Sequence, residues 1–235
     1  MTGRVLVIVP ALNERDSIAA VVEDATRCLG ADVVVVDDGS TDDTAALASD
    51  AGATVLRHPF NLGVGAAIRT ALRFAVAGGY DDVVQLDGDG QHPAEEARRL
   101  LDARRAADVD LVIGSRFASG YEVSRARRAM MRLLARLVSR RLRTKVSDTT
   151  SGFRAMGPRA IALFAVEYPA DYLSDTVEAL LLAADARLRV SEVEITMRPR
   201  QGGHPSTSTA RSFYHLVRLF LVVFIYSIRR KTPSV

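Results

Sequence analysis

Apolar runs and amphipathic stretches alternate along the first half of the chain in a regular order. Val5 to Val9 is an unbroken apolar run closed by Pro10, the pattern of a parallel strand buried on both faces. Asp16 to Leu29 repeats apolar residues at helical spacing, and Val33 to Val36 is a second buried strand ended by Asp37-Asp38-Gly39. Thr41 to Ala51 reads as a helix with Asp42 and Asp43 in its first turn, where acids suit the helix dipole. Thr54 to Arg57 is a short strand, Gly65 to Ala77 a helix, and Asp82 to Leu86 a strand that runs into Asp87. A helix over Ala94 to Ala107 and a strand over Asp110 to Ile113 complete the series. This β-α-β-α order predicts an α/β fold, a mostly parallel sheet with helices on both faces.

Beyond Arg116 the pattern changes. Ser124 to Leu142 predicts a basic amphipathic helix, with Arg125, Arg128, Arg132, Arg136 and Arg140 on one stripe. A loop holding Ser151-Gly152-Phe153-Arg154 leads to a helix near Ile161, then a helix over Ser174 to Ala186 and a strand over Arg189 to Thr196. Arg198 to Thr209 is rich in Gly, Pro, Ser and Thr and reads as a loop. A hydrophobic helix from about Ser212 to Ile228 and the tail Arg229-Arg230-Lys231 close the chain. We expect a main domain over 1–210 and an appended helix over 211–235.

Composition narrows the classes. Nearly half of the 235 residues are apolar, at 48%, which supports a sizeable core and excludes a disordered chain. A single cysteine, Cys28, excludes a disulfide framework and suits a reducing compartment; on its helix it reads as core. The N-terminal run is too short for a secretory core, so cytoplasmic placement is expected. The net charge of +3 is unevenly spread, with no acid between Ser124 and Ser147 against nine arginines and lysines. Such a block is a solvated face or meets a phosphate-rich partner. It carries no interleaved aromatics, which argues against nucleic acid.

The chemistry concentrates where strands end. In an open parallel sheet, ligands bind outside the carboxyl ends of the strands. Here three strands lead there into acids: Asn13-Glu14, Asp37-Asp38 and Asp87. Crowded carboxylates repel unless a cation or hydrogen-bond donors offset them, so a shared cation is expected. In Leu86-Asp87-Gly88-Asp89-Gly90-Gln91 the two acids are two residues apart, and in extended chain they point the same way. Oxygen donors from Asp87, Asp89 and Gln91 suit Mg²⁺ or Mn²⁺, with water and phosphate oxygens completing the shell. Such a cation stabilises a departing nucleoside diphosphate. In the run Asp37 to Thr44, Ser40 or Thr41 makes a good N-cap, and Asp38 is assigned to the nucleotide. Asn61-Leu62-Gly63-Val64-Gly65 lacks the third glycine of a dinucleotide loop, and no lysine follows a glycine loop, so NAD and ATP chemistry are poor readings. His92 fills space near the acidic loop, and His58, His204 and His215 show no ligand spacing.

Taken in order, Pro10-Ala11-Leu12-Asn13-Glu14, Asp37-Asp38-Gly39-Ser40, Asn61 to Gly65, Asp87 to Pro93 and Gly114-Ser115-Arg116 resemble the family-2 glycosyltransferases. Ser151-Gly152-Phe153-Arg154 extends the resemblance toward the dolichol- and polyprenyl-phosphate sugar synthases. It implies a GT-A fold, an inverting single displacement, and a divalent metal on Asp87 and Asp89 helped by Gln91. It further implies a nucleoside pocket lined by Pro10, Leu12, Glu14, Val36 and Asp38, with Asp87 and Gly88 also binding the nucleotide. This chain has Gly88 and Gly90 where that branch often has Ala and Leu, and Ala94 where it has a second proline. Asp175 lies near where hydroxyl-transferring relatives carry their base.

Two acceptors follow. A lipid phosphate arrives ionised and needs cations that hold it in line, for which Arg116, Arg154, Arg198 and Arg200 are candidates with Ser151 as donor. A hydroxyl needs a base, and Asp175 is the candidate, although an acid there also suits a helix start. The expected partners are a nucleotide-diphosphate sugar and a polyprenyl phosphate or glycan. The terminal helix lies in a membrane interface, or packs on the domain or a second subunit. A nucleotidyltransferase would bring a basic glycine loop after the first strand, which is absent, and a sugar-nucleotide-binding protein without turnover is the non-enzymatic alternative.

Overall fold

The computed structural model describes residues 3–116, 125–169 (side chains from 130) and 175–198. The glycine-rich loop, Arg200, the terminal helix and the basic tail lie outside the described residues. Among the described residues seven strands form one sheet, in the order β3-β2-β1-β4-β6-β5-β7. In chain order they are β1 (Val5–Ala11), β2 (Asp32–Asp37), β3 (Thr54–Arg57), β4 (Asp82–Gln85), β5 (Leu111–Ser115), β6 (Arg154–Met156) and β7 (Val190–Glu194). All are parallel except β6, which enters antiparallel between β4 and β5. The expected mostly parallel sheet is therefore present, and part of the predicted Ser151 to Arg154 loop is a strand.

Strand periodicity sorts the core into two layers. Leu6, Ile8, Val34 and Val36 face one layer with α3 (Val64–Ala77), α5 (Arg125–Leu142), α6 (Pro158–Glu167) and α7 (Asp175–Asp185). Val7, Val9, Val33 and Val35 face the other, with α1 (Ile18–Leu29), α2 (Thr44–Asp50) and α4 (Ala94–Ala107). Helices cover both faces, which is why the central strands read as continuous apolar runs.

Three expectations need correction. Pro10 does not end β1, which runs on to Ala11. Ile8 accepts the Leu86 amide, so Pro10, two residues on, turns the same way but beyond the end of β4 at Gln85, where no ladder bond is lost. The second helix begins at Thr44, after Asp42 and Asp43, and Ser40 and Thr41 do not cap it. The Asp42 carboxylate takes the Thr44 amide at 3.0 Å, while Ser40 and Thr41 are tied to Asn13. Cys28 is half-buried, its Sγ 3.8 Å from Glu95 Oε1, rather than core.

Gly39 joins β2 to this turn at φ +81°, and a Cβ there would lie 2.7 Å from the Phe60 carbonyl carbon and 2.8 Å from the Asn61 nitrogen. Left-handed strain and a backbone clash act together. Gly39→Ala is expected to lower stability by about 2 kcal/mol or more, read as a shift of the denaturation midpoint at unchanged m.

Candidate active site

Four loops meet at the carboxyl edge of the sheet, and side chains lace them together. Asn13, itself left-handed at φ 54°, donates its amide to Ser40 Oγ at 2.9 Å and accepts the Thr41 amide at 2.9 Å. The Glu14 amide reaches Thr44 Oγ1 at 2.9 Å, and Ser17 Oγ donates to the Gly88 carbonyl at 2.7 Å. The loops after β1, β2 and β4 are thus one unit. A Cβ at Gly88 would sit 3.4 Å from Glu14 Cγ and from the Pro10 carbonyl oxygen, so the β1 end and the acidic loop are in contact.

The carboxylates from the three strand ends do not share one centre. Asp37, with no exposed side-chain surface, accepts the Ser40 amide at 2.9 Å and Arg57 Nε at 3.1 Å. Asp38 accepts the amides of Leu62 at 2.9 Å and Gly63 at 2.8 Å, and its Oδ1 lies 2.7 Å from His58 Nδ1. Both acids therefore brace the chain from β3 to α3. Among the described residues no three His, Cys, Asp or Glu side chains are grouped to hold a metal. Of the acids expected to converge, Asp87 and Asp89 remain the candidates, on a turn rather than in extended chain, with Glu14 alongside Gly88.

Asp87 is half-exposed and Asp89 mostly buried, with the Gln91 amide donating to Asp89 Oδ1 at 3.0 Å. His92 Nδ1 accepts the Asp87 amide at 3.1 Å, which assigns its proton to Nε2, 3.7 Å from Asp87 Oδ2. The His92 ring stacks on Phe153 at 4.5 Å between centroids, so it supports the acidic loop from behind. Two carboxylates, flanking glycines and a nearby amide suit a hard divalent cation, which takes one or two protein carboxylates and completes its shell with water and phosphate oxygens. The donor set fits Mg²⁺ or Mn²⁺.

The loop before β6 links this pair to the candidate acceptor residues. A Cβ at Gly152 would lie 3.4 Å from Asp87 Oδ1. At the other end of the loop, Arg116 binds Asp148 through Nε at 2.8 Å and Nη2 at 3.1 Å, and reaches Thr150 Oγ1 at 3.0 Å. Burial pushes the Asp148 carboxyl up, but the bonds and charge of Arg116 outweigh it and hold it below the usual carboxylate range. Glu192 on β7 accepts the amides of Ser147 at 2.8 Å and Asp148 at 2.8 Å.

The remaining candidates are dispersed. Ser151 is buried, its Oγ accepting the Phe153 amide at 3.2 Å. Arg154 is 0% exposed; it donates to the carbonyls of Ser151 at 3.0 Å and Thr176 at 2.8 Å, and its Nη1 has no partner among the described residues. Arg198 bridges Asp24 on α1 and Glu95 on α4, while its amide holds the Gln91 carbonyl at 3.0 Å. Pro10 is half-buried, Leu12 exposed, and Val36 fully buried in the apolar layer. Asp148, Glu192 and His58 were not singled out from the sequence. The β2–β3 register, which pairs Asp37 with Arg57, is what sets His58 beside Asp38.

Family-2 glycosyltransferase is the model that matches, over residues 6–163. The chain belongs to this family. It is a glycosyltransferase. The polyprenol monophosphomannose synthase of Mycolicibacterium smegmatis is 37% identical over 164 residues, 66% of this chain and 62% of that protein. The undecaprenyl-phosphate mannosyltransferase of Micrococcus luteus is 34% identical over 217 residues, 87% of this chain and 88% of that one. Glucosyl-3-phosphoglycerate synthase of Mycobacterium tuberculosis, crystallised with Mn²⁺, UDP and phosphoglyceric acid, superposes with TM-score 0.73 at 20% identity, covering 98% of this chain and 81% of that one. That likeness establishes the GT-A fold.

Asp175 opens α7 at 5% exposure. Burial lifts its carboxyl, Arg154 pulls it partly back, and the balance leaves it at about 6. The unfolded chain loses this proton near its ordinary value while the folded chain still holds it, so stability falls as pH rises from about 4 through about 6. Asp175→Asn escapes this. Its stability relative to wild type is expected to rise by about 2 kcal/mol between pH 4 and pH 7 in paired denaturant titrations.

Proposed function

We propose that this glycosyltransferase moves a hexose from a UDP- or GDP-linked donor to polyprenyl phosphate at the cytoplasmic face of a membrane, with inversion at the anomeric carbon. The observation that carries the reading is the contact of the acidic loop with the Gly152 loop, whose far end holds Arg116. Donor and acceptor groups thereby have adjoining places. Two relatives named for mannose transfer to polyprenol or undecaprenyl phosphate support the lipid phosphate acceptor and favour mannose. The structural neighbour crystallised with Mn²⁺ and UDP supports a nucleotide donor and a divalent cation.

Asp87 and Asp89 hold that cation in this reading, with Gln91 beside them. When bound, it acts as a Lewis acid toward the departing nucleoside diphosphate. An acceptor phosphate oxygen forms the new bond to the anomeric carbon as the bond to the diphosphate oxygen breaks on the opposite face. That oxygen is already ionised, so no base is required. Arg116 contributes charge-assisted contacts that hold the phosphate in line, its own orientation fixed by Asp148. Ser151, Arg154 and Arg198 act more indirectly, Arg154 as a buried positive charge behind the loop. Pro10, Leu12, Glu14 and Asp38 border the nucleoside.

A second reading has one specific observation in its favour. Asp175, buried and lifted to about 6, has the properties of a general base near neutral pH, which a hydroxyl acceptor requires.

Labelled donors tested against polyprenyl phosphates and hydroxyl acceptors separate the two. Product on polyprenyl phosphate that survives Asp175→Asn supports the first reading; product on a hydroxyl, abolished by that substitution, supports the second. Asp89→Ala is expected to cut metal-dependent turnover by about 10³-fold or more. Full activity in a chelator would reject the metal site.

A further inference from the structure

The exposed side of α5 carries a line of cations that the catalytic chemistry does not use. Arg132, Arg136 and Arg140 are four residues apart and exposed, while Leu134, Ala135 and Val138 on the other side are buried. Leu133 is three and seven residues from Arg136 and Arg140, hence on their side, and it is 47% exposed.

The line runs into a cleft of about 520 Å³ between the ends of α5 and α7, lined by Arg140, Arg141, Arg143, Arg187, Asp185 and neighbouring apolar residues. Arg141 pairs with Asp185 at 3.5 Å, the one carboxylate in the lining. Arg143 and Arg187 both adopt the left-handed conformation, at φ 57° and 54°. Arg187 occupies the turn position that glycine usually takes, where the Leu188 amide closes on the Ala183 carbonyl. Two helix ends thus present arginine where local backbone preference asks for glycine. Cations do suit a helix C-terminus. That effect fades beyond the last turn, however, and does not account for Arg132 and Arg136 farther along α5.

We propose that this band of α5 and the α5–α7 cleft form a docking surface for an anionic lipid bilayer. An extended row of arginines complements a sheet of phosphates better than it does one soluble ion. The exposed Leu133 among them has a use against acyl chains and none against a soluble polyanion. Aromatic side chains that would stack on bases are absent from the band. The proposal deepens the reading of a lipid phosphate acceptor but stands on its own observations.

The test is flotation of the full chain with vesicles of phosphatidylcholine alone or mixed with phosphatidylglycerol. Wild type is expected on the mixed vesicles only, with binding that weakens as salt is raised. R136E/R140E/R143E/R187E is expected to weaken that binding by about tenfold or more. The milder R140Q/R143Q should weaken it in the same direction with an unchanged thermal melt, which keeps the test open if the fourfold variant misfolds. Equal binding to both vesicles, or undiminished binding by R140Q/R143Q and a folded fourfold variant, overturns the proposal. So does loss confined to DNA or heparin. Turnover on a water-soluble short-chain acceptor, assayed without vesicles, should be unchanged in the variants. If that acceptor is not used at all, the functional reading fails while the flotation result stands.

Discussion

Carboxylates crowded at the carboxyl edge of a parallel sheet must each find positive charge or N–H donors, and this requirement shapes the site. Asp37 is met by Arg57 and Ser40, Asp38 by His58, Leu62 and Gly63, and Asp148 by Arg116. Glu192 is met by two backbone amides. Apart from the local Asp37–Ser40 bond, each of these pairings fixes a loop, because the donor lies on a different segment from the acid. Asp87 stands apart in keeping nearly half of its side-chain surface exposed beside Asp89. The proposed divalent cation would take its place at that pair, while the other acids hold the walls.

This division was only partly legible in the sequence. Apolar runs such as Val33 to Val36 located the parallel strands well, because burial on both faces leaves no polar alternation to misread. The helix over Ala94 to Ala107 was read to its ends. Boundaries failed where side chains competed with the backbone: Asp42 takes the Thr44 amide and delays α2, and Pro10 stays in β1 because its neighbour strand has already ended. β6 was missed since three residues, Arg154 to Met156, carry no periodicity. For the site, the Asp87-x-Asp89 spacing pointed to a loop that the structure sets at the carboxyl edge of the sheet, against the end of β1 and the Gly152 loop. What it could not supply was partnership across long sequence separations, such as Asp148 with Arg116 or His58 with Asp38, which depends on strand order.

Arg154 illustrates the same limit. As a residue type in a Ser-Gly-Phe-Arg motif it suggested direct contact with an acceptor phosphate. Its place on an antiparallel strand between β4 and β5 removes it from solvent and turns it toward carbonyls of Ser151 and Thr176. A buried guanidinium held this way still acts at a distance. It restrains the upward push that burial gives Asp175, and it raises the positive potential behind the loop that touches Asp87. Its chemistry is that of a fixed charge, whereas Arg116 keeps part of its side-chain surface exposed, as the proposed contact with an acceptor phosphate requires.

The proposed docking band and the reacting edge are related through two helices. α7 starts with Asp175 at the site, and the turn after its last residue, Asp185, contains Arg187 of the cleft; eleven helical residues set these about 16 Å apart. The cleft lies where Arg187 and Leu188 precede β7, at the amino edge of the sheet, opposite Asp87. α5 follows β5 from the carboxyl edge and packs along α7 to reach the same cleft. A bilayer held by Arg132, Arg136 and Arg140 would therefore lie along the flank of the molecule and pass beside the carboxyl edge without capping it. In the proposed reading a phosphate at the bilayer surface would approach from the α5 side, where Arg116 directly follows β5. Among the described residues no helix is long and apolar enough to cross a membrane, and the proposed contact along α5 requires none.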